Sequence, residues 1–253
     1  MITVLYKIYQ FCIVLPLGLV LTLLTALTTS LGSWLASAHF WGYYPGKVWS
    51  WLMCRLLLLP IRVEGREHLE KHQSYVFVAN HQGPMDIFLI YGFLGRNFKW
   101  MMKKALRRIP FVGYACEKGR HIFVDKSGPK KIQETYEHAR KTLQNGTSLV
   151  VFPEGSRSFT GHMGIFRKGA FQLADELQLP VVPITIDGSF DVLTRMAGFN
   201  FVNWHPMRLV IHKPIYPTEK GAENVRRTME ESYAVIMSAL PEKYQGYVKN
   251  EDQ

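Results

Sequence analysis

The sequence predicts an α/β fold, a mostly parallel sheet flanked by helices, preceded by an N-terminal membrane-embedded helical segment or two-helix motif. Three observations carry this. Short runs rich in β-branched and aromatic residues, bounded by Gly, Pro, Asn or Asp, recur after Arg62. Stretches with helical spacing separate them, which is the alternation of a layered α/β domain. Before them stands a long run without a single charged side chain. Of the 253 residues, 47% are hydrophobic and 20% charged, a globular balance overall, but the apolar residues crowd the first 61 positions.

The uncharged run is Phe11 to Ala38, "FCIVLPLGLVLTLLTALTTSLGSWLASA". It exceeds the roughly 20 apolar residues that cover a bilayer core. A signal peptide would have an apolar region of only about 7 to 15 residues after a basic start, and here the early basic residue is Lys7 alone. A second apolar stretch, Val48 to Ile61, carries Arg55 and ends at Pro60; it suits an interfacial or re-entrant helix better than a second crossing. Four of the six tryptophans, Trp34, Trp41, Trp49 and Trp51, fall in or near these segments, as rings that favour the headgroup layer do. Residues 1–61 are therefore expected to be membrane-anchoring helices, and residues 62–253 the α/β domain.

Within that domain the expected strands are Tyr75 to Ala79, Ile122 to Val124, Leu149 to Phe152, Val181 to Ile186 and Leu209 to Ile211. A helix begins at Met85. Lys130 to Leu143 reads as a helix stopped by Asn145-Gly146, Ala170 to Leu179 as one stopped by Pro180, and Glu223 to Leu240 as the closing helix.

The formal net charge is +10. Eleven Lys or Arg lie between Arg96 and Lys131 against only Glu117 and Asp125, an anion-facing region suited to lipid headgroups, phosphorylated substrates or nucleic acid. The anchor favours lipid, and the absence of a groove-reading motif tells against nucleic acid. Cys12, Cys54 and Cys116 are odd in number and lack metal-ligand spacing, which argues against a disulfide framework and a zinc site and for a reduced, cytoplasmic setting.

Sites in parallel sheets form where strands end and loops turn into helices. "NHQGPMD", Asn80 to Asp86, lies at such an end. Gly83-Pro84 forces a turn that would bring the Asp86 carboxylate onto one imidazole nitrogen of His81, leaving the other free to take a proton. On its own the stretch is equally a loop with a helix-starting aspartate. "VVFPEGSRSFTG", Val150 to Gly161, ends another strand and could hold Glu154 and Arg157 together; a guanidinium fork suits a phosphate. "GRHIFVDKS" puts Arg120 and Lys126 at the two ends of a short strand within the basic region.

"NHQGPMD", "GRHIFVDK", "FPEGSRS" and "LPVVPITI" occur in the order and approximate spacing of the four motif blocks of the glycerolipid acyltransferases, over residues 75 to 190. The chain resembles most the bacterial 1-acylglycerol-3-phosphate acyltransferases. That resemblance implies His81 and Asp86 as the catalytic pair, Arg157 on the acceptor phosphate with Glu154 supporting, and Arg120 and Lys126 as further phosphate candidates. Lys126 stands where that family commonly has Arg, and Ser156 where it has Thr. A lysine cannot form the bidentate fork.

The expected reaction is transfer of an acyl group from a thioester, acyl-CoA or acyl-carrier protein, to the free hydroxyl of lysophosphatidic acid, giving phosphatidic acid. A thioester is already activated, so neither metal nor other cofactor is expected. A serine acyl-enzyme is disfavoured because no Gly-x-Ser-x-Gly elbow occurs. The rivals are acylation of glycerol-3-phosphate or another lysolipid and, from another class, a non-catalytic adaptor binding anionic lipid. The expected location is the cytoplasmic side of a bacterial inner membrane.

Overall fold

In the computed structural model, which describes residues 2–125, 127–195 and 200–248, the chain begins as one long helix. It comprises α1 (Ile2–Tyr9), a single π-helical turn over Gln10–Val14, and α2 (Leu15–Leu35). The wide turn lies just ahead of Pro16, which has no N–H to give the normal ladder. Thr3–Leu35 is long and apolar enough to cross a membrane. Its outer face exposes Leu19, Leu23, Leu27 and Leu31. The first turns are nevertheless fastened to the body: the buried Gln10 amide donates to Val202 O at 2.8 Å and accepts from Val202 N at 2.9 Å, while Tyr6 and Tyr9 donate to Leu57 O and Leu56 O.

α3 (Tyr44–Leu56) replaces the expected second apolar stretch, ending five residues earlier than Ile61. Its small residues Gly46, Ser50 and Cys54 are buried. A Cβ at Gly46 would stand 2.6 Å from the Tyr91 ring, so glycine is what allows the helix to lie this close. Trp49 stacks obliquely on Phe88, with ring centroids 4.8 Å apart. After it come β1 (Ile61–Glu64), β2 (Val76–Ala79), α4 (Met85–Phe93), β3 (Phe98–Lys103), α5 (Val112–Lys118), β4 (Ile122–Val124), α6 (Pro129–Thr142), β5 (Ser148–Val151), α7 (Gly169–Leu177), β6 (Val181–Asp187), α8 (Ser189–Val192), β7 (Met207–Ile211) and α9 (Ala222–Ala239).

The seven strands form one sheet in the order β1-β7-β6-β2-β5-β3-β4, parallel except for the β6–β7 pair. The expected strands and helices are present within a few residues of their expected ends. β1 and β3 were not foreseen. β1 is a short strand at the sheet edge whose Arg62 and Glu64 obscure any apolar signal. β3, "FKWMMK", places Lys99 in the interior, where sequence patterning expects an apolar residue.

Side-chain alternation splits the core in two. Tyr75, Phe77, Ala79 and Val150 pack with α4 and the end of α3 on one face. Val76, Val78, Leu149 and Val151 pack with α7, α9 and Ala139 of α6 on the other. Lys99 closes a seam: its buried ammonium donates to Ala38 O at 3.0 Å and Gly42 O at 3.4 Å, in the connection from α2 to α3. Burial and the nearby Arg120 charge lower its pKa to about 8.

Candidate active site

β2 and β5 are neighbours in parallel register, Val76 opposite Leu149 through Val78 opposite Val151. Their two following loops therefore emerge side by side at the carboxyl end of the sheet. Continuing the alternation past the strand ends puts His81 and Phe152 on the same face. Their rings stack at 3.8 Å with an 8° angle, and Phe152 in turn stacks on Trp100 of β3.

Asn80 sets the start of the first loop. Its side chain donates to Ile186 O at 2.9 Å and accepts from Ile186 N at 2.8 Å, a paired clamp onto β6. The chain turns at Gly83-Pro84, and Asp86 sits fully buried in the first turn of α4. Its Oδ2 lies 2.6 Å from His81 Nδ1 and accepts the Gly83 backbone N–H at 2.9 Å. One oxygen thus closes the turn and fixes the imidazole, so Nδ1 carries the proton and Nε2 is left as the basic nitrogen. The second oxygen, Oδ1, is buried without a hydrogen-bond partner among the described residues.

The loop after β5 wraps this pair. Glu154 is buried, and its two oxygens accept the backbone N–H groups of His81 and Gly164, each at 2.7 Å. Burial pushes the Glu154 carboxyl up to about 8, while the two amide bonds pull it the other way. Ser158 N donates to His81 O at 2.8 Å, so His81 is held through both of its own backbone polar groups. Glu154 is therefore a positioning residue for the His81 loop, and the expected side-by-side arrangement of Glu154 with Arg157 is replaced by these amide contacts.

Arg157 lines a cavity of about 1120 Å³ together with His81. Among the described residues no carboxylate pairs with its guanidinium. Lys103, Arg167 and Arg195 line the same cavity, and sequence reading did not single them out for the site. Arg195 donates to Arg157 O at 2.9 Å and lies 3.9 Å over the Phe159 ring. It stands nearly forty positions after Arg157 and outside every motif block; only the topology reveals it. Arg120 is exposed, in a left-handed conformation at φ 58°, and is not among the cavity-lining residues. Lys126 lies outside the described residues.

Lys104 and Asp125, paired with each other at 2.7 Å, also line the cavity, and most of the remaining lining is apolar or weakly polar. Thr22, Thr25, Ala26 and Thr29 of α2 form one wall, and Leu106, Ile109, Val112 and Ile132 contribute others. The space thus joins a proton-accepting imidazole and a set of cations to a long greasy chamber reaching the N-terminal helix. Among the described residues no group of three His, Cys, Asp or Glu gathers in a manner suited to a metal ion.

The family profile described as Acyltransferase matches residues 60–187. An uncharacterized acyltransferase of Schizosaccharomyces pombe is 33% identical over 213 residues, covering 79% of this chain and 72% of that protein. The chloroplastic 1-acyl-sn-glycerol-3-phosphate acyltransferase of Brassica napus is 30% identical over 177 residues, 69% of this chain and 51% of the relative. The chain spans about half the length of such plant relatives. The crystal structure of the 1-acyl-sn-glycerophosphate acyltransferase PlsC from Thermotoga maritima aligns with a TM-score of 0.73 at 25% identity, over 97% of this chain and 98% of that one. With the profile covering the sheet from β1 to β6 and both loops that hold His81 and Glu154, the chain belongs to the acyltransferase family.

Proposed function

We propose that the protein transfers a fatty acyl group from a thioester, acyl-CoA or acyl-carrier protein, to the 2-hydroxyl of 1-acylglycerol-3-phosphate, forming phosphatidic acid in phospholipid biosynthesis. The observation that carries this reading is the His81–Asp86 pair facing a cavity that also presents the uncompensated Arg157 guanidinium. The relatives named as 1-acyl-sn-glycerol-3-phosphate acyltransferases support the choice of acceptor.

In this mechanism His81 Nε2 takes the proton of the acceptor hydroxyl as its oxygen attacks the thioester carbonyl. Asp86 holds Nδ1–H and stabilises the imidazolium that forms. The C–S bond then breaks, and the departing thiolate recovers the proton from His81, returning the pair to its starting state. Arg157, with Arg195 behind it, fixes the acceptor phosphate and so converts the encounter into a positioned one. No cofactor takes part in this scheme. Attachment to the membrane through Thr3–Leu35 brings the cavity to the layer where a lysolipid resides, in this reading the cytoplasmic leaflet of a bacterial inner membrane, with anionic lipids against the basic region.

Purified protein offered lysophosphatidic acid, headgroup-bearing lysolipids and glycerol-3-phosphate, each against acyl-CoA and acyl-carrier protein, tests the reading by product mass. Phosphatidic acid as the main product is expected. Acylation of another acceptor in preference would replace the assigned substrate, and no transfer from either donor would favour a lipid-binding adaptor.

A further inference from the structure

Between β3 and β4 the chain leaves the sheet for Lys104 to Lys118, and this excursion presents an unusual surface. Leu106, Ile109, Phe111, Val112 and Tyr114 are all exposed, Phe111 by 69% and Tyr114 by 55%. Lys103, Lys104, Arg107, Arg108 and Lys118 flank them in the chain, with Arg107 paired to Glu117, the one acid of the stretch, and Lys104 to Asp125. A monomer's water-facing surface rarely gathers apolar side chains so closely.

The backbone at the tip is strained to achieve this. Phe111 lies at φ 60°, ψ −51°, and the Val112 N–H donates to Pro110 O at 2.6 Å. That is a γ-turn of the rare hand, which bulky L-residues seldom adopt. A glycine would relieve the strain; the chain carries phenylalanine, and its ring stands exposed at the tip. Strain kept at an exposed aromatic calls for a use of that ring.

The position of the tip indicates the partner. α5 packs along α2, the helix whose outer leucines suit hydrocarbon. The exposed apolar side chains of the excursion thus stand beside the anchor helix, and their basic collar complements an anionic headgroup layer. Aromatic and aliphatic tips above cations are the composition of an interfacial anchor, whereas a nucleic-acid groove would favour cations without the greasy tip.

We infer that Leu106–Tyr114 is a second membrane-contacting element, a wedge whose Phe111 and Tyr114 rings enter the acyl boundary of an anionic leaflet while Arg107, Arg108 and Lys118 stay among the headgroups. It goes beyond the acyl-transfer reading, and it holds whichever acceptor is used. Neither Phe111 nor Tyr114 lines the cavity, so a loss of wedge insertion and a failure of the proposed chemistry are separately measurable. Leu106, Ile109 and Val112 of the same element do line it, so the wedge is also the wall between lipid and cavity.

The test uses the full chain in vesicles of phosphatidylcholine with and without phosphatidylglycerol. A nitroxide is placed by Phe111→Cys, with Cys12→Ser and Cys116→Ala to limit labelling to that site, and a reference label by Glu230→Cys on the exposed side of α9. The label at 111 is expected to relax with dissolved oxygen and to be shielded from a water-soluble nickel chelate, with the order reversed at 230. Phosphatidylglycerol should deepen the shielding, and Arg108→Glu should remove that gain. Tyr114→Cys supplies the same reading if the strained turn does not tolerate cysteine. Labels at 111 and 114 as open to the chelate as the one at 230 would overturn the wedge; indifference to lipid charge would overturn its basic collar.

Discussion

Asp86 Oδ2 sits 2.6 Å from His81 Nδ1 and 2.9 Å from the Gly83 amide nitrogen, so a single oxygen atom both shapes the turn and aims the base. Removing the base removes the chemistry while the turn survives. His81→Ala is expected to lower transfer by about a hundredfold to ten-thousandfold, the usual contribution of a positioned base, with the fold retained but the melting transition lowered, because the buried Asp86 carboxylate loses its ring partner. Asp86→Asn should lose comparable activity and some stability as well, because its amide can present a donor where the Gly83 N–H needs an acceptor. Single-turnover rates read the loss of chemistry and thermal unfolding the loss of stability in each variant.

Arg157→Ala should act on the acceptor. Its guanidinium faces the cavity without a carboxylate partner among the described residues, so its loss leaves no internal charge stranded. The apparent KM for a phosphorylated acceptor is expected to rise by about tenfold or more, in line with the roughly 1.5–3 kcal/mol of a charge-assisted hydrogen bond, while the KM for the acyl donor stays put. Arg157→Lys should recover part of the loss, since it keeps the charge but not the fork. An unaltered acceptor KM in Arg157→Ala would remove the assigned role.

Glu154→Gln tests positioning rather than contact with substrate. The glutamine oxygen can keep one of the two amide bonds, at His81 or at Gly164, and its NH2 must oppose the other, an orphaned donor that costs about 1–3 kcal/mol. The pH dependence carries the sign. A carboxyl raised from 4.5 to about 8 on folding takes up a proton in that window, so its contribution is complete below pH 4.5 and is lost as pH rises through about 8. The wild type should therefore soften across that interval, and Glu154→Gln should flatten the slope in a melting series.

Lys99 gives the opposite slope. Its folded pKa is lowered from 10.5 to about 8, so its contribution is present above pH 10.5 and is lost as pH falls through about 8. Lys99→Met keeps the stem and removes the charge; it is expected to abolish the gain in stability between those pH values, and to loosen the α2–α3 connection, whose carbonyls lose their donor. Hydrogen exchange over residues 36–44 reads the second effect.

The parts of the architecture legible in the sequence were those written in short-range pattern. Strand Val76–Ala79 is buried on both faces and reads as an unbroken apolar run, and Val181–Asp187 is buried as far as Ile186 with Thr185 the one polar residue before its end. The turn from His81 to Asp86 was legible because Gly-Pro and a helix-starting aspartate leave a local signature. β3 was not, because Lys99 is neutralised in effect by carbonyls sixty residues away. Glu154 was placed in the right loop with the wrong contacts: its partners are backbone amides, which no side-chain pattern records. Arg195 reaches the site from a distant part of the chain, and the fold alone brings it there.

The N-terminal helix answers to two solvents within one turn. Leu23 and Leu27 point outward, while Thr22, Thr25 and Ala26 wall the chamber that opens at His81. A tether can be exchanged for any other greasy helix; this one cannot. In the proposed membrane setting, adapting it to a thicker or thinner bilayer would alter the shape of the cavity at His81, and cutting it away to make the protein easier to handle would leave that cavity with a side missing.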